Sequence, residues 1–238
     1  MSRRCRGCGA ALGAAARFCA VCGRPTTVVV QHERRRSRAE STAFRRAARV
    51  LAFGFVGAFA STILSRGDAG CQLAGDLVVL GAAFVVAGPA LARASLGRGC
   101  AARECLLALP AGLLTFAVAL GYVALLDLAG GSVPAPEPSP WLQVLAEDVL
   151  APAVVEEVLC RGLMFIAARE LAGSQRGAIL LSALLFGFLH GLNGAALLEV
   201  PHRLVGGLVF GWLRARSGSL VPGMLAHGLH NALAGFSP

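Results

Sequence analysis

The stretch APAVVEEVLCRGLMFIAA, residues 151–168, decides how the rest of this chain is read. It is apolar enough to lie in a bilayer, yet its middle holds two adjacent glutamates, Glu156 and Glu157, and an arginine, Arg161. A carboxylate at bilayer depth costs at least ~2.5 kcal/mol on insertion scales, so two side by side need a reason. Spacing separates them. Glu157 and Arg161 are i, i+4 neighbours and can pair along one helix face. Glu156 points about 100° away from that face, has no such partner, and is free to act as a general base.

The surrounding composition supports a membrane setting. The 238 residues are 56% hydrophobic with a mean hydropathy of +0.68, which is too apolar for an ordinary soluble domain. All 22 basic residues are arginines; 12 precede Val50, where only Glu33 and Glu40 oppose them. The remaining 189 residues carry 10 arginines and 11 acids, so the pI of about 10 belongs to an N-terminal arm and not to the hydrophobic body. The chain opens with cysteines and arginines and lacks an apolar h-region, so no signal peptide is expected.

Seven apolar segments follow the arm, at about 47–64, 73–92, 105–128, 141–168, 177–192, 195–213 and 218–236. They end on turn and breaker signals such as SRGDAG, RASLGRG, GGSVPAPEPSP, AGSQR and RSGS. The fourth has Ser139 placed as N-cap with Pro140 at the first helical position. Pro152 is expected to interrupt that segment and to split off an interfacial piece. With the N-terminus in the cytoplasm, Arg45, Arg46, Arg49, Arg93, Arg98, Arg103, Arg169, Arg176, Arg214 and Arg216 all fall inside, and only Arg66 and Arg203 fall outside. That is the positive-inside pattern at every crossing. The expected fold class is all-α: a polytopic transmembrane bundle of about seven spans with a small N-terminal zinc ribbon. The expected location is a bacterial inner membrane, with the N-terminus cytoplasmic.

Residues 1–26 contain two C-x-x-C pairs, Cys5/Cys8 and Cys19/Cys22, ten residues apart. Four thiolates make a closed tetrahedral Zn2+ site, and so short a segment cannot fold on a hydrophobic core of its own. Free thiols and redox pairs are the alternatives. The CRGCG and FCAVCGRP knuckles resemble the short zinc-ribbon domain at the front of many bacterial membrane proteins. Residues 27–46 form a basic linker; since it runs into a span, lipid and topology are the expected use of its charge, and nucleic acid is not an expected partner.

Other polar groups recur within apolar segments. LLFGFLHG places Phe186 and His190 one turn apart, and MLAHGLHNALAG places His227 and Asn231 one turn apart with His230 between. At 1.5 Å per residue, Glu156 lies roughly 20 Å from Arg169, His190 roughly 21 Å from Arg176, and His227 and Asn231 roughly 17 and 23 Å from Arg216. Three helices deliver their polar groups to one depth. Glu156 can activate water, His190 can polarise that water or ligate a metal, and Asn231 beside His227 can donate to a tetrahedral intermediate. Taken singly, the glutamate–arginine pair could be structural glue and each histidine a core residue. His202 and His230 are read as structural, and Phe186 as packing beneath His190.

The order and spacing E-E-x-x-x-R (Glu156, Glu157, Arg161), F-x-x-x-H (Phe186, His190) and H-x-x-x-N (His227, Asn231) resemble the CPBP family, which contains the CAAX prenyl proteases and the bacteriocin-processing or immunity (ABI) membrane proteins. The resemblance covers roughly residues 135–238 and leaves 47–134 as generic extra spans. It implies an intramembrane endopeptidase acting on a protein or peptide at the bilayer. Glu156 and His190 would activate water, His227 and Asn231 would stabilise the oxyanion, and Glu157 and Arg161 would support the site. There is no H-E-x-x-H helix, so the sequence leaves a metal in the catalytic site open. A non-catalytic immunity or scaffold protein keeping the same fold is the alternative from another class.

Overall fold

The computed structural model describes residues 3–5, 7–13, 16, 18, 19, 21, 22, 27–65, 69–97, 99–131, 140–191 and 197–235. The chain divides into two units, Met1–Arg45 and Arg46–Pro238. In the first, β1 (Arg3–Arg4) pairs antiparallel with β2 (Ala11–Leu12), Arg3 opposite Leu12 and Arg4 opposite Ala11. Gly9, at φ 73°, allows the chain to reverse between the strands, and its N–H donates to the Cys5 carbonyl at 2.9 Å. The stretch read as a basic linker is helical: α1 (Thr27–Ser65) begins there and continues into the second unit.

The second unit is built of helices: the rest of α1, then α2 (Ala69–Leu96), α3 (Ala102–Leu106), α4 (Ala108–Leu128), α5 (residues 141–172), α6 (Gln175–Gly191), α7 (Val200–Ser217) and α8 (Val221–Gly235). Gly173 and Gly218, both left-handed, close α5 and α7, each donating its N–H to the carbonyl four residues back. A two-part α2 was not expected. Gly88 leaves helical geometry at φ 71°, ψ 169°, and Pro89 follows it, so the helix kinks there.

The expected break at Pro152 is absent. α5 runs through Trp141–Gln143, wide π-helical turns at Val144–Leu150, α-helix at Ala151–Glu156, a second π stretch at Glu157–Met164 and α-helix at Phe165–Ala172. The junction residues Leu150 (φ −77°, ψ −47°) and Glu156 (φ −69°, ψ −37°) stay helical. The widened turn before Pro152 gives its ring room where a tight α turn would clash with the carbonyl four residues back. Pro140 precedes the first helical residue, at φ −55°, ψ 137°, instead of occupying it; Ser139, the expected N-cap, lies outside the described residues.

The core runs along α5. Leu159, Cys160 and Leu163 to Ala168 pack against Ala47, Val50 and Leu51 of α1, Ala83, Ala87 and Leu91 of α2, and Ala178 and Phe186 of α6. A smaller cluster joins Ala108 and Ala111 of α4 to Phe210 and Leu213 of α7 and Ala226 of α8. Small residues set the approach: a Cβ on Gly207 would lie 2.9 Å from the Ala183 Cα, and one on Gly112 would lie 2.8 Å from the Ala226 carbonyl oxygen. Leu73–Leu96 and Ala102–Leu128 are long and apolar enough to cross a membrane. Only 22% of the most apolar 18-residue window in each is buried, so most of its side chains face outward, the reverse of a soluble core helix.

Candidate active site

α5 supplies Glu156, Glu157 and Arg161, the C-terminal end of α6 supplies His190, and α8 supplies His227. Glu157 and Arg161 are fully buried, with Arg161 Nη1 2.9 Å from Glu157 Oε1. The distance makes an ion pair, but the angle does not make a hydrogen bond, and none of the three guanidinium nitrogens has one among the described residues. Compensation is therefore coulombic and aromatic: Arg161 lies 4.0 Å from the centre of the Phe186 ring and 5.3 Å from that of Phe210.

Glu157 has a second partner that helical spacing does not reveal. His227 Nδ1 lies 3.2 Å from Glu157 Oε1, across 70 residues of chain. The other carboxylate oxygen, Oε2, faces Gly223, where a Cβ would come within 2.6 Å of it. The His227 ring stacks on Phe210, with centroids 5.0 Å apart and planes at 23°, and meets the edge of Phe186 at 5.9 Å. Glu157 thus holds both an arginine and the imidazole of the third motif.

Hydrogen-bond logic fixes both imidazoles. His190 Nδ1 lies 2.9 Å from the Phe186 carbonyl, which can only accept, so Nδ1 carries the proton. His227 Nδ1 likewise donates to the Glu157 carboxylate. Both rings then present Nε2 to the same atom: Glu156 Oε2 lies 3.6 Å from His190 Nε2 and 4.0 Å from His227 Nε2. These separations are too long for direct hydrogen bonds and suit a small molecule shared between the groups. Glu156 Oε2 has no hydrogen-bond partner among the described residues. Asn231 lies one turn beyond His227 on α8, partly buried.

Several residues near this centre were missed in the sequence. Phe210 and Gly223 are ordinary apolar-segment residues by composition, although Gly223 stands one turn before His227, which hints at a face kept clear. Arg214 counts as one more inside arginine, yet it is 4% exposed. Its Nε donates to the Arg161 carbonyl at 3.0 Å, Nη2 to the Ala94 and Ser95 carbonyls at 3.0 Å each, and Nη1 to the Gly218 carbonyl. Phe186, His202, Arg203, Gly206, Phe210, His227 and His230 line a cavity of about 10 Å³. His230 is held there by Nδ1 donating to Thr115 Oγ1 at 3.2 Å, and the Thr115 hydroxyl donates onward to the Gly112 carbonyl.

In the N-terminal unit, Cys5, Cys8, Cys19 and Cys22 bring their sulfurs within 4.8 Å of one another. Cys5–Cys22 and Cys8–Cys19 are each 3.6 Å, far beyond a disulfide and close to the ~3.8 Å that tetrahedral Zn–S bonds impose. The Gly7 N–H, 3.4 Å from Cys5 Sγ, and the Cys8 N–H pull the Cys5 thiol down to about 6. The Ala10 N–H alone would lower Cys8, but contacts with the Cys22 and Cys19 sulfurs hold it up at about 12. Crowded thiols that resist joint deprotonation are a donor set a divalent cation resolves.

Apolar helices enclosing a carboxylate and two imidazoles define the class: a helical bundle with a polar centre. Residues 138–233 match the family model described as type II CAAX prenyl endopeptidase Rce1-like, and this part of the chain is a domain of that family of membrane proteases. The match spans α5 to α8 and so takes in every residue of the centre. No curated protein and no solved structure matches the chain.

Proposed function

We propose that the chain is an intramembrane endopeptidase of about seven spans, lying in a bacterial inner membrane with its N-terminus and zinc ribbon in the cytoplasm. The observation that carries the chemistry is the convergence of His190 Nε2 and His227 Nε2 on Glu156 Oε2 at 3.6 and 4.0 Å. Water seated between Glu156 and His190 gives a proton to Glu156 as its oxygen attacks the peptide carbonyl. His190, with Nδ1–H fixed on the Phe186 carbonyl, accepts from that water through Nε2 and so aims it. Asn231 donates to the oxyanion from its NH2 group, and His227 does so when Nε2 is protonated as well as Nδ1. Glu156 then returns its proton to the leaving amine. Glu157 and Arg161 hold His227 in register and never meet substrate.

Two imidazoles and a carboxylate are donors a metal would accept, but among the described residues only the four cysteines bring three or more ligand atoms within 4.8 Å.

The test compares wild type with Glu156→Gln and His190→Ala in nanodiscs and in membranes, scoring new protein N-termini by mass spectrometry. Both variants insert but lose all cleavage; activity retained in either one sinks the mechanism. Full rescue of a knockout by Glu156→Ala would point instead to a shielding scaffold.

A further inference from the structure

Arg203 is the cation in this region that neither topology nor the water chemistry uses. It is one of only two arginines on the outer side of the expected topology, so it works against the positive-inside pattern. It stands in the first turn of α7, 29% exposed, with Nη2 and Nε lying 3.2 and 3.4 Å from a single oxygen, Oε2 of Glu199 one turn back. A partly buried i, i+4 pair that shares one carboxylate oxygen adds only modest stability. Its effect is to steady a guanidinium whose Nη1 edge Glu199 does not occupy. Arg203 also walls the small cavity that includes His227, together with Phe186, His202, Gly206, Phe210 and His230. Among the described residues no carboxylate lines that cavity.

We propose that Arg203 anchors a carboxylate of the substrate beside the scissile bond and so sets which peptides are bound productively. This rests on the protease reading of the Glu156 centre. A guanidinium fork fixed on one side and open on the other matches the two oxygens of a carboxylate. The cavity admits about one oxygen-sized group, so the anchored group sits at its rim. His227 shares the cavity, so the anchored carboxylate lies close to the bond that is cut. An acidic side chain and a free C-terminus supply the same chemistry.

Binding is measured without turnover, in the Glu156→Gln protein in nanodiscs, by fluorescence polarisation against empty nanodiscs. The probes are one labelled apolar heptapeptide as its C-terminal amide, the same peptide as free acid, and the amide with one internal glutamate. At least one carboxylate peptide binds ten-fold or more tighter than the neutral amide, and which one it is identifies the source. Adding Arg203→Gln brings that peptide within two-fold of the amide and leaves the amide itself unchanged; Arg203→Lys keeps part of the preference. Equal binding of all three peptides, a preference that survives Arg203→Gln, or loss of amide binding in that variant would overturn the anchor. In the active chain, Arg203→Gln raises KM for the carboxylate peptide and spares kcat; a fall in kcat alone also overturns it. Absence of cleavage by the active chain, with carboxylate binding intact, refutes the protease reading and leaves the anchor standing.

Discussion

Gly223→Ala and Gly228→Ala test the geometry of the buried centre against each other, because both glycines lie in α8. By helix propensity each substitution should stabilise, by up to ~1 kcal/mol. At Gly228 a new Cβ meets only the Ala153 Cβ at 3.6 Å, an ordinary contact, so that gain survives. At Gly223 the Cβ would lie 2.6 Å from Glu157 Oε2. The glutamate cannot swing aside, since its other oxygen is 2.9 Å from Arg161 Nη1 and 3.2 Å from His227 Nδ1, and the side chain is wholly buried. Relief requires a shift of about 0.5 Å or more, either of α8 or of the carboxylate, at the ~1–3 kcal/mol typical of overpacking. Since the propensity gain is common to both, the two variants should differ by the overpacking cost alone, roughly 1–3 kcal/mol, Gly228→Ala the more stable. Thermal or denaturant unfolding in one detergent gives the comparison, with cleavage measured alongside. Gly223→Ala should lose activity as His227 is pulled out of register, and Gly228→Ala should keep it. Equal stabilities and equal activities would show that Glu157 is not pinned between Arg161 and His227, and the account of the site would fail with it.

Arg214→Ala removes the donor to four backbone carbonyls on three helices and their ends, so stability should fall by at least ~3 kcal/mol. Arg214→Lys should recover only a fraction of this, because an ammonium cannot reach all four; full recovery in the same unfolding assay would contradict the arrangement. Purified protein should carry one zinc per chain by elemental analysis, and Cys8→Ser or Cys19→Ser should abolish it. Chelation should make the first 26 residues protease-sensitive while Arg46–Pro238, which has its own buried core, stays resistant; simultaneous digestion of both would refute separate units.

Some of this protein is local, and the sequence displays it. A pair at i, i+4 meets on any helix, so Glu157–Arg161 is legible from spacing alone, as are the two C-x-x-C knuckles and the turn glycines that close α5 and α7. The apolar runs are legible too, and helical rise gives the spacing of Glu156, His190 and His227 along their helices; the family match covers residues 138–233. Pro152 shows where local rules mislead: proline normally breaks a helix, but a π turn ahead of it relieves the clash, and no residue pattern signals that turn.

The sequence by itself determined which polar groups exist and how they are spaced along each helix. Only the tertiary structure decided who meets whom around the helix axes. Rise per residue is fixed by backbone hydrogen bonds, whereas the rotation of one helix against another is fixed by packing. That rotation turns His227 toward Glu157 as well as Glu156, puts Gly223 over a carboxylate, and carries Arg214 to carbonyls 53, 119 and 120 residues away. Glu157 was legible as the partner of an arginine; that it also holds the imidazole facing Glu156 depends on how closely α8 settles against α5.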